Sequence, residues 1–323
     1  MIMNTKMKDF TNQMYLASSS GNGDFVKQVL DRFTYCIHTK KVQNDDMLKR
    51  VRTFVGRCLI TAAYFGKSVC VEMFLAFEQQ QQHVVVVTQC GDTALICASR
   101  RGNAECVELL LTHAPEKQVA VGNNCGITAL MAAASTGNAK CMELLLAHCP
   151  EEQIGATDNA GKTALMYATY KGCVKCVELL LAHAPEQQVR FANKYGGTAL
   201  MSAAFSGNVK CMELLLVHAP EEQLRTVCFN RTALEYAALQ DCDEGGKGGA
   251  NHVECIKLLI ASGSPLPQDQ ELLAKIQPVI MDAMQMVRVP DTLNQAMAHT
   301  VQVYLSGRCL QPAQQGRKRE RET

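Results

Sequence analysis

An all-α solenoid of about seven turn-helix-helix units, followed by a helical C-terminal segment, is the architecture predicted by the 323-residue sequence. Three observations carry the prediction. The phrase "GITALMAAASTGNAKCMELLLAHCPEEQ" (126–153) returns as "GKTALMYATYKGCVKCVELLLAHAPEQQ" from Gly161 and as "GGTALMSAAFSGNVKCMELLLVHAPEEQ" from Gly196. The Thr of its "TAL" falls at Thr93, Thr128, Thr163, Thr198 and Thr232, at intervals of 35, 35, 35 and 34 residues. Within each copy the apolar residues follow the helical period, and a self-similar period of this length is the mark of a stacked array.

Each element of the unit has a local reason. The stretch from Thr128 to Thr136 is rich in Ala, the residue of highest helix propensity, whose small side chain lets helices approach closely. Gly137 supplies the left-handed conformation that commonly ends a helix. The second helix, "AKCMELLLAH", places Cys141, Leu144, Leu145 and His148 on one face at the i, i+3, i+4, i+7 spacing. Pro150 cannot continue it. The connector "IGATDNAGK" then carries the turn residues Asp158 and Gly161.

The order of turn, "GxTAL", "AAxxG" and "ELLL" resembles the ankyrin repeat, over about 250 residues (roughly 12–264). The 35-residue "HAPEEQ" variant is most similar to the ankyrin-only proteins expanded in diplomonad protists. This resemblance implies a curved solenoid whose concave groove holds a partner protein. The departures from the family pattern are regular. Its "TPLH" reads "TALI" at 93–96 and "TALM" at 128, 163 and 198, so the helix-starting Pro is Ala. The His that ties turns together becomes Ile96, Met131, Met166 or Met201, which removes that hydrogen-bond network and leaves the site to an apolar filler.

The flanks divide the rest of the chain. Residues 1–11 are expected as a leader, 12–55 as a degenerate first repeat with an inserted loop or added helix, and 56–264 as the array proper. The last repeat carries a Gly-rich insertion at 240–252 that lacks the G-x-x-x-x-G-K-[ST] order of a phosphate loop. Residues 265–308 hold two helical patterns, the first with Leu272, Leu273, Ile276, Ile280, Met284 and Val287 on one face and a kink or break expected at Pro278. Such helices suit a terminal cover. Residues 309–323 end in "RKRERET" and are expected to be a disordered charged tail.

Composition narrows the functional classes. Lys and Arg total 32 against 31 Asp and Glu, so no global field points to nucleic acid or an anionic membrane. No stretch approaches the length of a membrane span, and the start lacks the apolar core of a signal peptide. Sixteen cysteines without an export signal read as reduced thiols of a cytoplasmic protein, which could be cytoskeleton-associated and is expected to be monomeric. Cys70, Cys106, Cys141, Cys176, Cys211 and Cys255 recur at one repeat position, about one helix spacing apart. That is too far for a disulfide or a shared metal, so they read as small buried hydrophobes. Cys173 and Cys176 form a lone C-x-x-C, a weak signal. His113, His148, His183 and His218 each fall at a helix end, where an imidazole meets free carbonyls. Kinase, zinc-protease and serine-hydrolase signatures are missing from the sequence. No enzyme, cofactor or metal is therefore expected.

Aligning the repeats with one another separates scaffold from variable positions. Substitutions gather in the pair before the inter-helix Gly and at the turn tip, both of which the ankyrin resemblance places on the concave groove. The candidate partner-binding residues are Arg100, Arg101, Lys162, Tyr167, Tyr170, Lys171, Lys194, Tyr195 and Phe205. Tyr, Phe and Arg combine apolar area with directional bonding and are favoured at binding hot spots. The reading is a non-catalytic adaptor or scaffold. Its alternatives are a cytoskeletal or membrane-proximal tether working through the C-terminal helices, or a regulatory subunit of a separate enzyme such as a kinase.

Overall fold

A computed structural model describes residues 2–38, 45–79, 86–113, 121–148, 153–218, 221–240 and 249–286. Its regular structure is helical, with two isolated bridges, Ala192 with Thr198 and Cys228 with Arg231. Seven helix pairs follow one another: α1 (Ile2–Ser20) and α2 (Gly23–His38), α3 (Asp45–Tyr64) and α4 (Ser68–Gln79), α5 (Ala94–Arg101) and α6 (Ala104–His113), α7 (Ala129–Thr136) and α8 (Ala139–His148). The series continues with α9 (Ala164–Lys171) and α10 (Val174–Leu181), then the short α11 (Pro185–Arg190), α12 (Ala199–Ser206) and α13 (Val209–His218). After the short α14 (Glu221–Arg225) come α15 (Ala233–Gln240), α16 (Gly249–Ala261) and a final helix α17 (Gln270–Met286).

The ends of the short inner helices explain the repeated letters. The hydroxyls of Thr93, Thr128, Thr163 and Thr198 accept from the amides of Ile96, Met131, Met166 and Met201 at 3.2–3.4 Å. Each cap satisfies one of the orphan donors of a helix start and stabilises it by about 1 kcal/mol. Thr232 caps α15 differently, exchanging bonds with Glu235 in a capping box. At the other end Gly102 sits at φ +76°, and a Cβ there would lie 2.7 Å from Asn138 Oδ1. Both the handedness of the cap and the close neighbour therefore demand glycine. Ile96, Met131, Met166 and Met201 are buried, filling the place where the family pattern has His.

Curvature follows from side-chain size. Inner helices α5, α7, α9 and α12, lined by Ala, pack on one another more closely than outer helices α6, α8, α10 and α13. The stack therefore bends toward the inner helices and the turn tips. The cysteine ladder is buried between outer helices, and desolvation pushes the thiols of Cys106, Cys141 and Cys211 up to about 11 and that of Cys255 to about 12. Such thiols pack as hydrophobes and are poor nucleophiles. Of the four helix-end histidines, His113 makes the expected bond, from Nδ1 to Leu109 O at 2.8 Å.

The flanking segments take definite forms. Helix α1 begins at Ile2, so residues 2–11 are helical. Of the two forms expected for the stretch inserted after the first repeat, the added helix is found: α3 starts at Asp45 and runs without interruption to Tyr64. Pro278 lies inside α17, which runs through it unbroken, because the helix is held by Leu272, Leu273, Ile276 and Ile280 packed on the last repeat. The second C-terminal pattern, the charged tail and most of the Gly-rich insertion fall outside the described residues.

Candidate functional site

The concave face is built from two parallel columns, the C-terminal ends of the inner helices and the tips of the turns that precede them. Each tip is shaped by an Asx side chain. Asn123 Oδ1 accepts from the amides of Cys125 and Ile127, Asp158 Oδ1 from Ala160 and Lys162, and Asn193 Oδ1 from Tyr195 and Gly197, all at 2.8–3.0 Å. Adjacent tips are then joined by single backbone bonds, Asn124 N to Cys90 O, Asn159 N to Cys125 O and Lys194 N to Ala160 O. The tips therefore move as one edge, as a rigid binding surface needs.

The structure sorts the nine sequence-predicted residues into two groups. Arg101, Lys162, Tyr170, Lys171, Lys194, Tyr195 and Phe205 are exposed on this face. Arg100 and Tyr167 are half-buried and bonded within the protein. Arg100 donates to both carboxylate oxygens of Asp92, at 2.6 and 3.2 Å, and Asn123 Nδ2 donates to Asp92 Oδ1 at 2.8 Å. Asp92 is buried, so this bidentate pair fastens one helix end to its own turn and to the next. The Asp92 hydrogen bonds raise the Arg100 pKa further. The Tyr167 hydroxyl donates to Asp158 Oδ2 at 2.7 Å; burial, then the Asp158 carboxylate, raises its pKa.

The exposed rings form contiguous pairs that cross repeat boundaries. Tyr170 stacks on Phe205 with centroids 6.2 Å apart, and Phe205 meets Tyr236 edge-on at 6.3 Å. On the tip column Tyr195 stacks on Phe229 at 5.4 Å. At the N-terminal side the Arg101 guanidinium lies 4.7 Å from the Tyr64 ring centroid. Sequence comparison among repeats did not single out Phe229, Tyr236 or Tyr64. The signal for Phe229 was present, since it stands three residues before Thr232 as Tyr195 stands three before Thr198. The 34-residue spacing obscured it, because that tip dispenses with the Gly used by the others and turns through Phe229 (φ 50°) and Asn230 (φ 60°).

A second feature was read only as a repeated letter. The Asn after each inter-helix Gly reaches back across the repeat boundary. Asn103 Nδ2 donates to Ala63 O and Tyr64 O, Asn138 to Ser99 O and Arg100 O, and Asn208 to Thr169 O and Tyr170 O, at 2.7–3.2 Å. These clasps end at the very carbonyls under the groove residues. Cys173 interrupts the series with a thiol 3.5 Å from Gly137 O. Gln153 and Gln188, from "EEQ" and "EQQ", are buried and tie the following loop to the carbonyls of Leu145 and of Leu180 and His183.

Comparison with known proteins agrees with this geometry. The family described as "Ankyrin repeats (3 copies)" matches residues 13–121, 114–190 and 185–269, well over half of the sequence. The chain belongs to the ankyrin-repeat family. A search of curated proteins finds no match. Among solved structures that match is the crystal structure of the ankyrin repeat domain of Bcl-3, a member of the IkappaB protein family. The two are 22% identical with a TM-score of 0.53, over 64% of this chain and 86% of the other, a likeness of fold. Ankyrin repeats generally mediate protein–protein interaction, and no enzyme family is identified for this chain. Among the described residues of this ankyrin-repeat protein there is no cluster of His, Cys, Asp and Glu able to hold a metal. Nor is any described helix long and apolar enough to cross a membrane.

Proposed function

We propose that this protein is a non-catalytic adaptor that grips a partner protein in the concave groove of its ankyrin array. The observation that carries the reading is the run of exposed aromatic rings, Tyr170 on Phe205 and Tyr195 on Phe229, standing beside Arg101, Lys162, Lys171 and Lys194. Large rings left in water on a rigid face cost solvation that a partner recovers, and such rings concentrate binding energy. Arg100 and Tyr167 support the surface from beneath. The 35-residue repeat and "HAPEEQ" motif favour a place among the ankyrin-only proteins of diplomonad protists, and the free cysteines among the described residues favour a reducing compartment such as the cytoplasm. The tether reading has less support, since the apolar face of α17 is packed against α15 and α16.

The test is affinity capture from native lysate with the wild type and with a variant carrying Arg101→Ser, Tyr170→Ser, Lys171→Ser and Phe205→Ser. The variant should melt like the wild type and lose a specific partner. Identical partner sets for both proteins would refute the groove assignment.

A further inference from the structure

The charges of the concave face are sorted by sign. Its acids turn inward and are satisfied by the chain itself: Asp92 by Arg100 and Asn123, Asp158 by Tyr167 and two amides, Glu235 by Thr232. Its cations point outward. Arg101, Lys162, Lys171, Lys194 and Arg231 are exposed, and none makes an ion pair among the described residues. A chain of net charge +1 thus presents a positive groove, while the outer helices carry mixed charge, as in the pairs Lys140–Glu143 and Lys175–Glu178.

The cations recur along the array. Lys162, Lys194 and Arg231 lie on three successive turn tips, Lys162 and Arg231 directly before the cap threonine and Lys194 three positions earlier in its own tip. Successive repeats are separated by a helix-packing distance of about 8–10 Å. An extended polyproline-type segment advances about 9 Å in three residues and returns every third side chain to the same face. A segment of this kind with several carboxylates along its length would therefore reach cations on more than one tip. Between those tips stand Tyr195 and Phe229, the latter 72% exposed and held in a left-handed conformation. For a bulky residue that conformation is strained, and strain of this kind gathers at binding sites.

We infer that the groove accepts an extended protein segment bearing several carboxylates, with apolar side chains between them that lie on the Tyr195–Phe229 and Tyr170–Phe205 rings. The inference rests on the groove being the partner surface and names the chemistry of what enters it. A nucleic acid strand shares the negative charge. It suits this face less well, because in both pairs the rings spend a face on each other instead of standing free to take bases.

The experiment uses the full chain and a fluorescent peptide of four Glu-Pro-Leu triplets, read by anisotropy, beside its Gln-Pro-Leu counterpart and an oligothymidylate of equal length. The acidic peptide should bind. The Gln peptide should bind at least tenfold more weakly, as should the acidic peptide to a Lys162→Glu/Lys194→Glu variant, whose substituted side chains make no ion pair among the described residues. Phe229→Asn, in which Asn suits the left-handed turn, should weaken the peptide with no loss of melting temperature. Raising salt from about 0.05 to 0.3 M should weaken binding several-fold. Equal affinity for the Gln peptide, unchanged affinity in the charge-reversed variant, tighter binding of the oligonucleotide, or no peptide binding at all would each overturn the inference. The lysate experiment uses no peptide, so it judges the groove reading separately.

Discussion

Cys173→Asn should make this protein more stable. The clasp that Asn138 and Asn208 form across their repeat boundaries is missing between the fourth and fifth repeats, where Cys173 stands in the Asn position. The acceptors are in place, since Ala134 and Ser135 correspond to Ser99 and Arg100 one repeat earlier. Room is not limiting: the same approach of an Asn amide to an inter-helix Gly occurs at Gly102 and Gly172. Two half-buried amide–carbonyl bonds contribute about 0.5–1.5 kcal/mol each. Against this stand the weak thiol contact to Gly137 O and some lost apolar packing, leaving a gain of about 1 kcal/mol. In a chain of this size that is a rise of roughly 2–4 °C in the melting temperature. The reciprocal change, Asn208→Cys, should lower it by a similar amount, because it strips Thr169 O and Tyr170 O of their partner. Urea and thermal melts followed by circular dichroism read both. If Cys173→Asn leaves the melt unchanged or lowers it, and Asn208→Cys is also silent, the clasp is not what joins the repeats.

Adjacent arginines should behave oppositely. Arg100→Ala should cost about 1.5–3 kcal/mol, because it leaves buried Asp92 without its charged partner, while Arg101→Ala should stay within about 0.5 kcal/mol in urea titration. Phe229→Asn should raise the melting temperature by relieving the left-handed backbone, less whatever its ring gains from Tyr195; a clear fall would show that the stack outweighs the strain. The cysteine ladder should give the chain an alkaline limit. The folded thiols of Cys106, Cys141 and Cys211 are raised to about 11 from an ordinary 9.0, so the unfolded state releases their protons first. Stability should therefore hold below about pH 9 and fall between 9 and 11, and serine at all three positions should remove part of that slope. At pH 8 a thiol reagent should label exposed Cys90 and Cys125 in the native protein well before the ladder.

Much of the fold was legible because packing against an identical neighbour forces identical letters. Thr at the cap, Gly at the left-handed stop and Cys in the ladder each recur for a contact that recurs. What escaped was the bonding reach of repeated polar letters. The Asn of the clasp and the Gln of "EEQ" act on backbone atoms 38–40 and 8 residues away, and periodicity shows that they matter without showing to what. The site was partly legible for the converse reason. Variable positions mark the groove, but variability does not tell an outward Lys162 from an Arg100 folded back on Asp92. Phe229 was hidden by a one-residue deletion that changed the turn and shifted the register of its repeat. Pro278 does not split α17, because burial of Leu272, Leu273, Ile276 and Ile280 outweighs the single backbone bond that a proline removes.

Hydrogen exchange on the chain with and without its captured partner tests the central claim most directly. Protection should appear in the turn tips at 88–92, 123–127, 158–162, 193–197 and 228–231 and in the ends of α5, α9 and α12, with the outer helices α6, α8, α10 and α13 unchanged. Protection confined to the outer helices, or to α17, would place the partner elsewhere and contradict the account.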